Sequence, residues 1–358
     1  MVVSLGRKGG RAGPCRRVMG SALLSVVLLS GVSSESFQQA HLPAAVNTYL
    51  TNVARLGSSE RKVLMSGAPV TKFLDADPSQ EVAVFGAVWI KASPAAYVQQ
   101  VKDIETFERG GAFRVTKRIA TPPRLEDFAE LEVSDDDLAD LQDCRVGDCE
   151  FKLGANALKT LRAEVDWRKR TAKADAEAVL RRLALEYVTG YLQGGNARLA
   201  VYRDKDRPTF VANEFRSMVD RLPPATYPPD LKRYLLDYPQ ATLRDSTEFL
   251  YWQETQFGLK PTIRISHLMI QERPEETIVA SKMLYASHYF WTALELRTLL
   301  PDASRGPGFW FITVNRSRSD GLSGFIGRFI RGRVRNEVQK STLAALTATK
   351  TKLEIPAR

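Results

Sequence analysis

The chain contains three histidines, His41, His267 and His288, the residue type best suited to acid–base chemistry near neutral pH. His267 and His288 each fall among apolar residues in strand-like segments. They are either hydrogen-bonded core residues or polar groups of a ligand cavity, where one of them would act as a general base. Glu248 and Glu254 share a predicted strand face, but their spacing puts them about 20 Å apart, too far for cooperating carboxylates. No HExxH, GxSxG, phosphate-loop or dinucleotide motif occurs, so the sequence assigns no catalytic residue.

A second candidate is the aromatic stretch at residues 285–291, Tyr-Ala-Ser-His-Tyr-Phe-Trp. Aromatic side chains line many pockets for apolar ligands, and a few polar groups orient the ligand there. Ordinary sheet packing is the alternative interpretation of the same residues. The predicted ligand-binding residues, taken from this stretch and from the segment around the preceding histidine, are His267, Met269, Tyr285, His288, Phe290 and Trp291.

The third candidate is a concentration of arginine toward the C-terminal end. Between residues 305 and 335, seven arginines are opposed only by Asp320. Such a run is commonly a solvated basic face. It would also suit anionic lipid head groups, which attract a basic residue at a membrane surface by about 1 kcal/mol. The predicted membrane-contact residues are Arg328, Arg331 and Arg335.

Cys144 and Cys149 are separated by four residues that include Gly147. In an oxidising compartment this spacing predicts a disulfide, here on an exposed loop. A metal site needs more ligands, and no histidine lies nearby in the sequence. A redox-active pair would prefer two intervening residues. We therefore predict a structural disulfide, no metal ion and no cofactor.

Residues 1–34 have the pattern of a cleaved export signal. Five basic residues and no acid precede Glu35, an apolar stretch follows at 18–32, and small residues at 32–34 offer a cleavage site. A retained anchor is the alternative, although a spanning helix needs about 20 apolar residues. Loss of the signal would lower the formal net charge from +10 to about +5. The sequence thus predicts a secreted or periplasmic protein with no nucleic-acid partner.

The candidate residues lie in a mixed succession of helices and strands. Hydrophobic residues make up 44% of the chain, enough to bury a core. Short turns within 245–318 predict an antiparallel sheet, and an acidic segment at 124–150 is predicted to be solvated. Predicted helices lie at 42–56, after Pro94, at 155–192 and at 322–354; predicted strands lie at 81–91, 113–119, 247–257, 262–271, 277–299 (one bent strand or two) and 309–318.

The order of elements at 245–354, with the strand and helix at 81–107, resembles the helix-grip fold of START-like lipid-binding domains. This resemblance implies an α+β fold in which a curved antiparallel sheet packs on a long C-terminal helix and leaves an apolar tunnel. A large, mainly helical region would be N-terminal or inserted. The predicted division is a signal at 1–34, a mixed region at 35–194, and a sheet with terminal helix at 195–358. Alternatively, one START-like domain at 81–358 carries an insertion at 110–244.

These features together predict an exported soluble protein that binds a hydrophobic or lipid-like molecule and makes transient contact with anionic membrane surfaces. One alternative is a hydrolase or cyclase-like enzyme that uses His267 or His288 in the same cavity. Another is a structural, envelope-associated protein without a small ligand.

Overall fold

One antiparallel sheet of eight strands organises the fold. The computed structural model describes residues 42–256, 260–320, 322 and 324–355, and it describes side chains outside 324–330. The strands are β1 (Val70–Phe73), β2 (Glu81–Ile90), β3 (Phe113–Arg118), β4 (Val201–Tyr202), β5 (Thr209–Phe210), β6 (Ser246–Gln256), β7 (Pro261–Glu272), β8 (Thr277–Ala286), β9 (Phe290–Pro301) and β10 (Phe309–Ser319). β4 and β5 form a separate hairpin, and the other strands lie in the order β1-β2-β10-β9-β8-β7-β6-β3. The predicted α+β class, with an antiparallel sheet and a C-terminal helix, is confirmed.

Helices fill the segments before, between and after these strands. They are α1 (Ala44–Thr48), α2 (Ser58–Met65), α3 (Pro94–Lys102), α4 (Ile104–Phe107), α5 (Asp135–Asp143), α6 (Ala155–Glu164), α7 (Ala172–Gly194), α8 (Val211–Asp220), α9 (Pro229–Asp237) and α10 (Gly324–Glu354). Among the described residues, no helix combines the length and apolar character that a membrane crossing requires. The predicted signal at 1–34, with His41, lies outside the described residues.

The sheet includes strands from both sides of the predicted boundary at residue 194. β2 pairs with β10 and β3 pairs with β6, so early and late segments share one hydrogen-bonded sheet. Helices α5 to α9 lie between β3 and β6 in the chain. This helical region therefore separates β3 from β6 in the amino-acid sequence, although the two strands are neighbours in the sheet.

The aromatic stretch at 285–291 turns a corner and does not continue as one strand. β8 ends at Ala286 and β9 begins at Phe290, and Tyr289 between them has a φ of 60°. Of the two possibilities for 277–299, two strands are therefore correct. Because the chain reverses here, Tyr285 and Trp291 lie on different strands, and both pack against the same face of the sheet.

Both faces of the sheet are buried, as the apolar residues at both parities require. One face carries Leu250, Met269 and Leu296 and packs against the helical region at α1, α2 and α6 to α9. The opposite face carries Leu268, Val279 and other apolar residues and packs against α3, α4 and α10. The sheet is thus the middle layer of a three-layer arrangement.

α10 lies against β2 where the strand has a glycine. A Cβ at Gly86 would lie 2.9 Å from Leu346 Cδ1 and equally close to Thr313 Cγ2, so only glycine allows this approach. Further along, Lys350 donates to the carbonyl of Trp89, and the Glu354 carboxylate accepts from the Lys91 backbone N–H. The C-terminal half of α10 is therefore fixed along β2.

The predicted disulfide between Cys144 and Cys149 is confirmed, but its surroundings differ from the prediction. Both cysteines are buried, because the backbone N–H groups of Gly147 and Cys149 donate to carbonyls of the segment after β4. The neighbouring acidic segment is also not wholly solvated, since Asp137 of α5 is only 3% exposed. Its Oδ1 lies 3.0 Å from His288 Nε2 and 3.9 Å from Lys260 Nζ.

Gly195, which follows α7, gives a first prediction about stability. Its φ is 55°, and a Cβ would lie 1.6 Å from the carbonyl oxygen of Tyr238. We expect Gly195→Ala to lower the free energy of unfolding by more than about 2 kcal/mol. Gly190, inside α7, has open space around its Cα, so Gly190→Ala should be neutral or stabilising by up to about 1 kcal/mol. Urea denaturation measures both, and equal effects would contradict the prediction.

Candidate functional site

A cavity of about 150 Å³ lies beside Glu248 and His267, between β6, β7 and the chain just after β3. Its other lining residues are Ile119, Ala120, Thr121, Leu192, Phe249 and Leu250. The cavity reaches the surface, since Thr121 is exposed and the Glu248 side chain is 40% exposed. Five of the eight lining residues are apolar, and the other three are Thr121, Glu248 and His267.

The pairing of β6 with β7 brings Glu248 and His267 together. Leu250 lies directly opposite His267, and Glu248, two residues earlier, projects from the same face of the sheet. Glu248 Oε2 is 3.1 Å from His267 Nε2. The sequence did not reveal His267 as a partner of Glu248, because spacing along one strand says nothing about residues on the neighbouring strand.

A chain of hydrogen bonds runs from this pair into the protein. Lys282 Nζ donates to the Tyr191 hydroxyl at 3.2 Å, and that hydroxyl lies 3.0 Å from His267 Nδ1. An ionised Glu248 can only accept, so Nε2 of His267 carries the proton that is donated to it. In a neutral imidazole Nδ1 is then an acceptor, and it receives the O–H of Tyr191. In each of these hydrogen bonds the donor is the group farther from the cavity, first Lys282, then Tyr191 and then His267.

Charge in this chain is governed by burial. Burial lowers the pKa of His267, despite the opposing effect of Glu248, and so keeps the imidazole neutral at physiological pH. Partial burial of Glu248 would raise its pKa, but the hydrogen bonds from His267 and Tyr234 outweigh this and hold it below its ordinary value. The site therefore presents an ionised carboxylate supported by a neutral histidine.

Lys282 is the most unusual group near the site. It is 1% exposed, and burial lowers its pKa from 10.5 to about 7. Its Nζ also donates to the Asn196 side-chain oxygen and lies 4.5 Å from the centre of the Phe215 ring. No carboxylate forms an ion pair with it among the described residues, so aromatic rings and neutral oxygens replace a counter-ion.

A groove of about 370 Å³ lies on another side of Glu248. Its lining residues are Tyr234, Tyr238, Pro239, Ala241, Thr242, Leu243, Ser246 and Glu248. α9 supplies Tyr234, whose hydroxyl donates to Glu248 Oε2. Tyr238 stacks on Tyr191 with ring centres 5.0 Å apart. Glu248 thus belongs to the lining of both spaces.

His288 lies at a different place from His267 and does not line this cavity. Its Nδ1 is 3.1 Å from the Glu150 carbonyl oxygen, and its Nε2 is 3.0 Å from Oδ1 of buried Asp137. The first contact is a hydrogen bond between the β8–β9 turn and the segment after the disulfide, whereas the second is a close approach to α5 without hydrogen-bond geometry. Of the two histidines that were predicted to lie in the same cavity, only His267 lines the cavity beside Glu248.

The other four predicted ligand-binding residues lie away from the cavity and contribute to packing. Met269 is buried in the core on the same face as His267, and the Tyr285 hydroxyl donates to the Lys152 carbonyl at 2.9 Å. Phe290 and Trp291 are partly buried at the start of β9. The lining of the cavity beside Glu248 includes none of these four.

The arginines that the sequence predicts as one basic face lie in different environments. Arg316 and Arg318 are buried against Glu81. Arg331 donates to the Pro78 carbonyl, and Arg335 lies 4.0 Å over the Phe73 ring. The side chain of Arg328 lies outside the described residues.

The sequence analysis missed Lys282, Tyr191 and Tyr234. A signal existed for Lys282, because strand alternation places it on one face with Ile278, Ala280 and Leu284. A lysine within an apolar row is expected to be buried and to need special partners. No comparable signal marks the tyrosines, whose roles depend on how α7 and α9 pack on the sheet.

The arrangement is suited to holding a polar group of a bound molecule at Glu248. In the part of the chain described, no three His, Cys, Asp or Glu side chains are grouped as a metal site requires. The chain matches no protein-family model, and no curated protein matches it.

Proposed function

We propose that this protein is exported and binds a small, largely apolar molecule in the cavity beside Glu248 and His267. The observation that carries the proposal is the composition of the lining. Apolar residues from several separate segments surround a polar pair whose side chains are fixed by hydrogen bonds. Small-molecule sites commonly have apolar walls and a few placed polar groups.

The volume of the cavity limits the ligand. A cavity of about 150 Å³ has room for a molecule the size of benzene, whereas drug-sized ligands occupy about 300–1,000 Å³. A longer, lipid-like ligand would place only one end in the cavity. Its remainder would lie in the groove of about 370 Å³ that shares Glu248.

Hydrogen bonding at His267 favours binding over catalysis. A general base must bring its accepting ring nitrogen within reach of the proton that it takes. The accepting nitrogen of His267 is Nδ1, which faces the buried Tyr191 hydroxyl, while Nε2 donates to Glu248, so no accepting nitrogen faces the cavity. His288 does not line the cavity. The enzyme alternative therefore has less support than the binding protein.

A helix-grip, START-like arrangement remains part of this proposal. The close approach of α10 to the sheet at Gly86 and the antiparallel order of β6 to β10 support it. The disulfide supports export, because such bonds persist mainly in oxidising compartments.

A cavity-filling substitution tests the binding proposal. Ala120 lines the cavity and is half-buried, so the ring of Ala120→Phe would occupy the space. We expect affinity for benzyl alcohol, titrated by saturation-transfer NMR, to fall at least about tenfold. The matched control is Ala344→Phe on an exposed part of α10, which should bind as the wild type does. Absence of binding by the wild type, or equal binding by Ala120→Phe, would remove the proposal and favour a structural protein.

We further propose contact of α10 with anionic membrane surfaces. Arg333 and Lys340 are exposed on this helix, and no ion pair involves either among the described residues. Exchange of both for glutamine should weaken binding to phosphatidylserine vesicles by about 2 kcal/mol, because each basic residue contributes about 1 kcal/mol. Vesicle sedimentation measures this.

The matched control for vesicle binding removes two charges from α6, on the opposite side of the sheet. Lys159 and Arg162 are exposed there, and their exchange for glutamine should leave vesicle binding almost unchanged. Equal losses in the two double variants would show that net charge, and not a face on α10, attracts the vesicles.

A further inference from the structure

We propose that the ligand carries an ammonium group, held by Glu248 Oε1 and by the rings of Tyr234 and Tyr238. This inference rests on the proposed binding at the cavity and names the chemical class of the ligand: a small organic amine with an apolar body. Three features of the described residues support it, and they concern the orientation of the carboxylate, the aromatic lining and the distribution of charge.

The first feature is that the two carboxylate oxygens of Glu248 differ in their hydrogen bonds. Oε2 of Glu248 receives both protein donors, His267 Nε2–H and the Tyr234 hydroxyl. No donor to Oε1 is found among the described residues, and the side chain is 40% exposed. The carboxylate is therefore fixed through one oxygen, while the other is available to a bound molecule in the cavity or the groove.

The second feature is the aromatic lining next to this oxygen. Tyr234 and Tyr238 line the groove with ring centres 5.5 Å apart, and their rings pack around His267. An organic cation is attracted by an aromatic ring within about 6 Å, most strongly where water is excluded. A carboxylate that lines the same groove as two tyrosine rings therefore suits an ammonium group better than it suits a neutral polar group.

The third feature is the charge of the lining. Among the described residues, Glu248 is the only acidic or basic residue that lines the groove, and the cavity adds only His267, whose burial keeps it neutral. The nearest cation in the hydrogen-bonded chain, Lys282, lies behind Tyr191 and is almost fully buried. An anionic ligand would meet an uncompensated carboxylate, whereas a cationic ligand would neutralise it.

The test compares two probes of nearly equal shape that differ in charge, benzylammonium and benzyl alcohol. At neutral pH the wild type should bind benzylammonium at least about tenfold more tightly than benzyl alcohol. Glu248→Gln keeps one oxygen that can accept from His267 and Tyr234 but removes the negative charge, so it should abolish this preference. Calorimetric titration measures all four affinities, and the circular dichroism spectrum checks the fold of the variant.

The pH dependence of binding by the wild type gives a second readout that needs no variant. Since hydrogen bonds hold the pKa of Glu248 below its ordinary value, the preference for benzylammonium should persist at pH 5 and disappear only at lower pH. Equal affinity for the two probes at neutral pH, or an unchanged preference in Glu248→Gln, would overturn the ammonium inference and leave cavity binding intact. Binding of neither probe by the wild type would overturn both proposals.

Discussion

Replacement of Lys282 with methionine is expected to remove a pH dependence of stability worth about 5 kcal/mol. The folded protein holds Lys282 with a pKa of about 7, whereas the unfolded chain has the ordinary value of 10.5. Between these values the unfolded chain binds a proton that the folded chain releases. The stability of the wild type should therefore fall as the pH decreases from 10.5 to about 7, and this contribution should level off below that.

The measurement is urea denaturation of wild type and Lys282→Met across this pH range. The difference between the two proteins isolates the lysine, because other titrating groups contribute equally to both. Lys340→Met on the exposed face of α10 is the matched control and should show no such pH-dependent difference. A constant difference between wild type and Lys282→Met from about pH 6 to about pH 10 would contradict a buried lysine of low pKa.

Loss of the buried carboxylate at Glu81 is expected to have the second large effect. Its side chain is fully buried at the start of β2, where it contacts Arg316 and Arg318 of β10 and Arg221 after α8. Glu81→Gln keeps the shape but leaves Arg316 buried without a counter-charge. Removal of one partner from such a pair costs about 3–5 kcal/mol, so the free energy of unfolding should fall by that amount.

Glu337→Gln provides the comparison, since Glu337 is exposed on α10 and should contribute less than about 0.5 kcal/mol. Thermal unfolding at neutral pH ranks the two variants. Similar small losses for both would show that Glu81 does not join β2 to β10 as the structure indicates. The result would also affect the interpretation of the arginines, because Arg316 and Arg318 belong to the basic run that the sequence offers for membrane contact.

Local patterns predicted the strands from β6 to β10 and the terminal helix. Alternating side chains and short turns determine such elements over a few residues. The neighbours of each strand were harder to predict. β2 pairs with β10 across more than 200 residues, and nothing in either segment identifies the other. α8 and α9 were not predicted, although each buries one apolar face.

The candidate site was predicted only in part for a related reason. His267 stood out because histidine is rare in this chain and falls on an apolar strand face. Glu248, Tyr191 and Lys282 come from β6, α7 and β8, and only the tertiary structure brings them into one hydrogen-bonded chain. His288 was predicted on a strand face within 277–299, a segment that the sequence left as one bent strand or two. The turn at 287–289 removes it from that strand.

The central claim is that the space beside Glu248 and His267 holds a small molecule. Extraction of the protein purified from its natural source, followed by mass spectrometry, tests this most directly when wild type and Ala120→Phe are compared. The account predicts an amine with a small apolar body that is recovered from the wild type in stoichiometric amount and is absent from the variant. Recovery of the same compounds from both proteins, or of none from either, would contradict it.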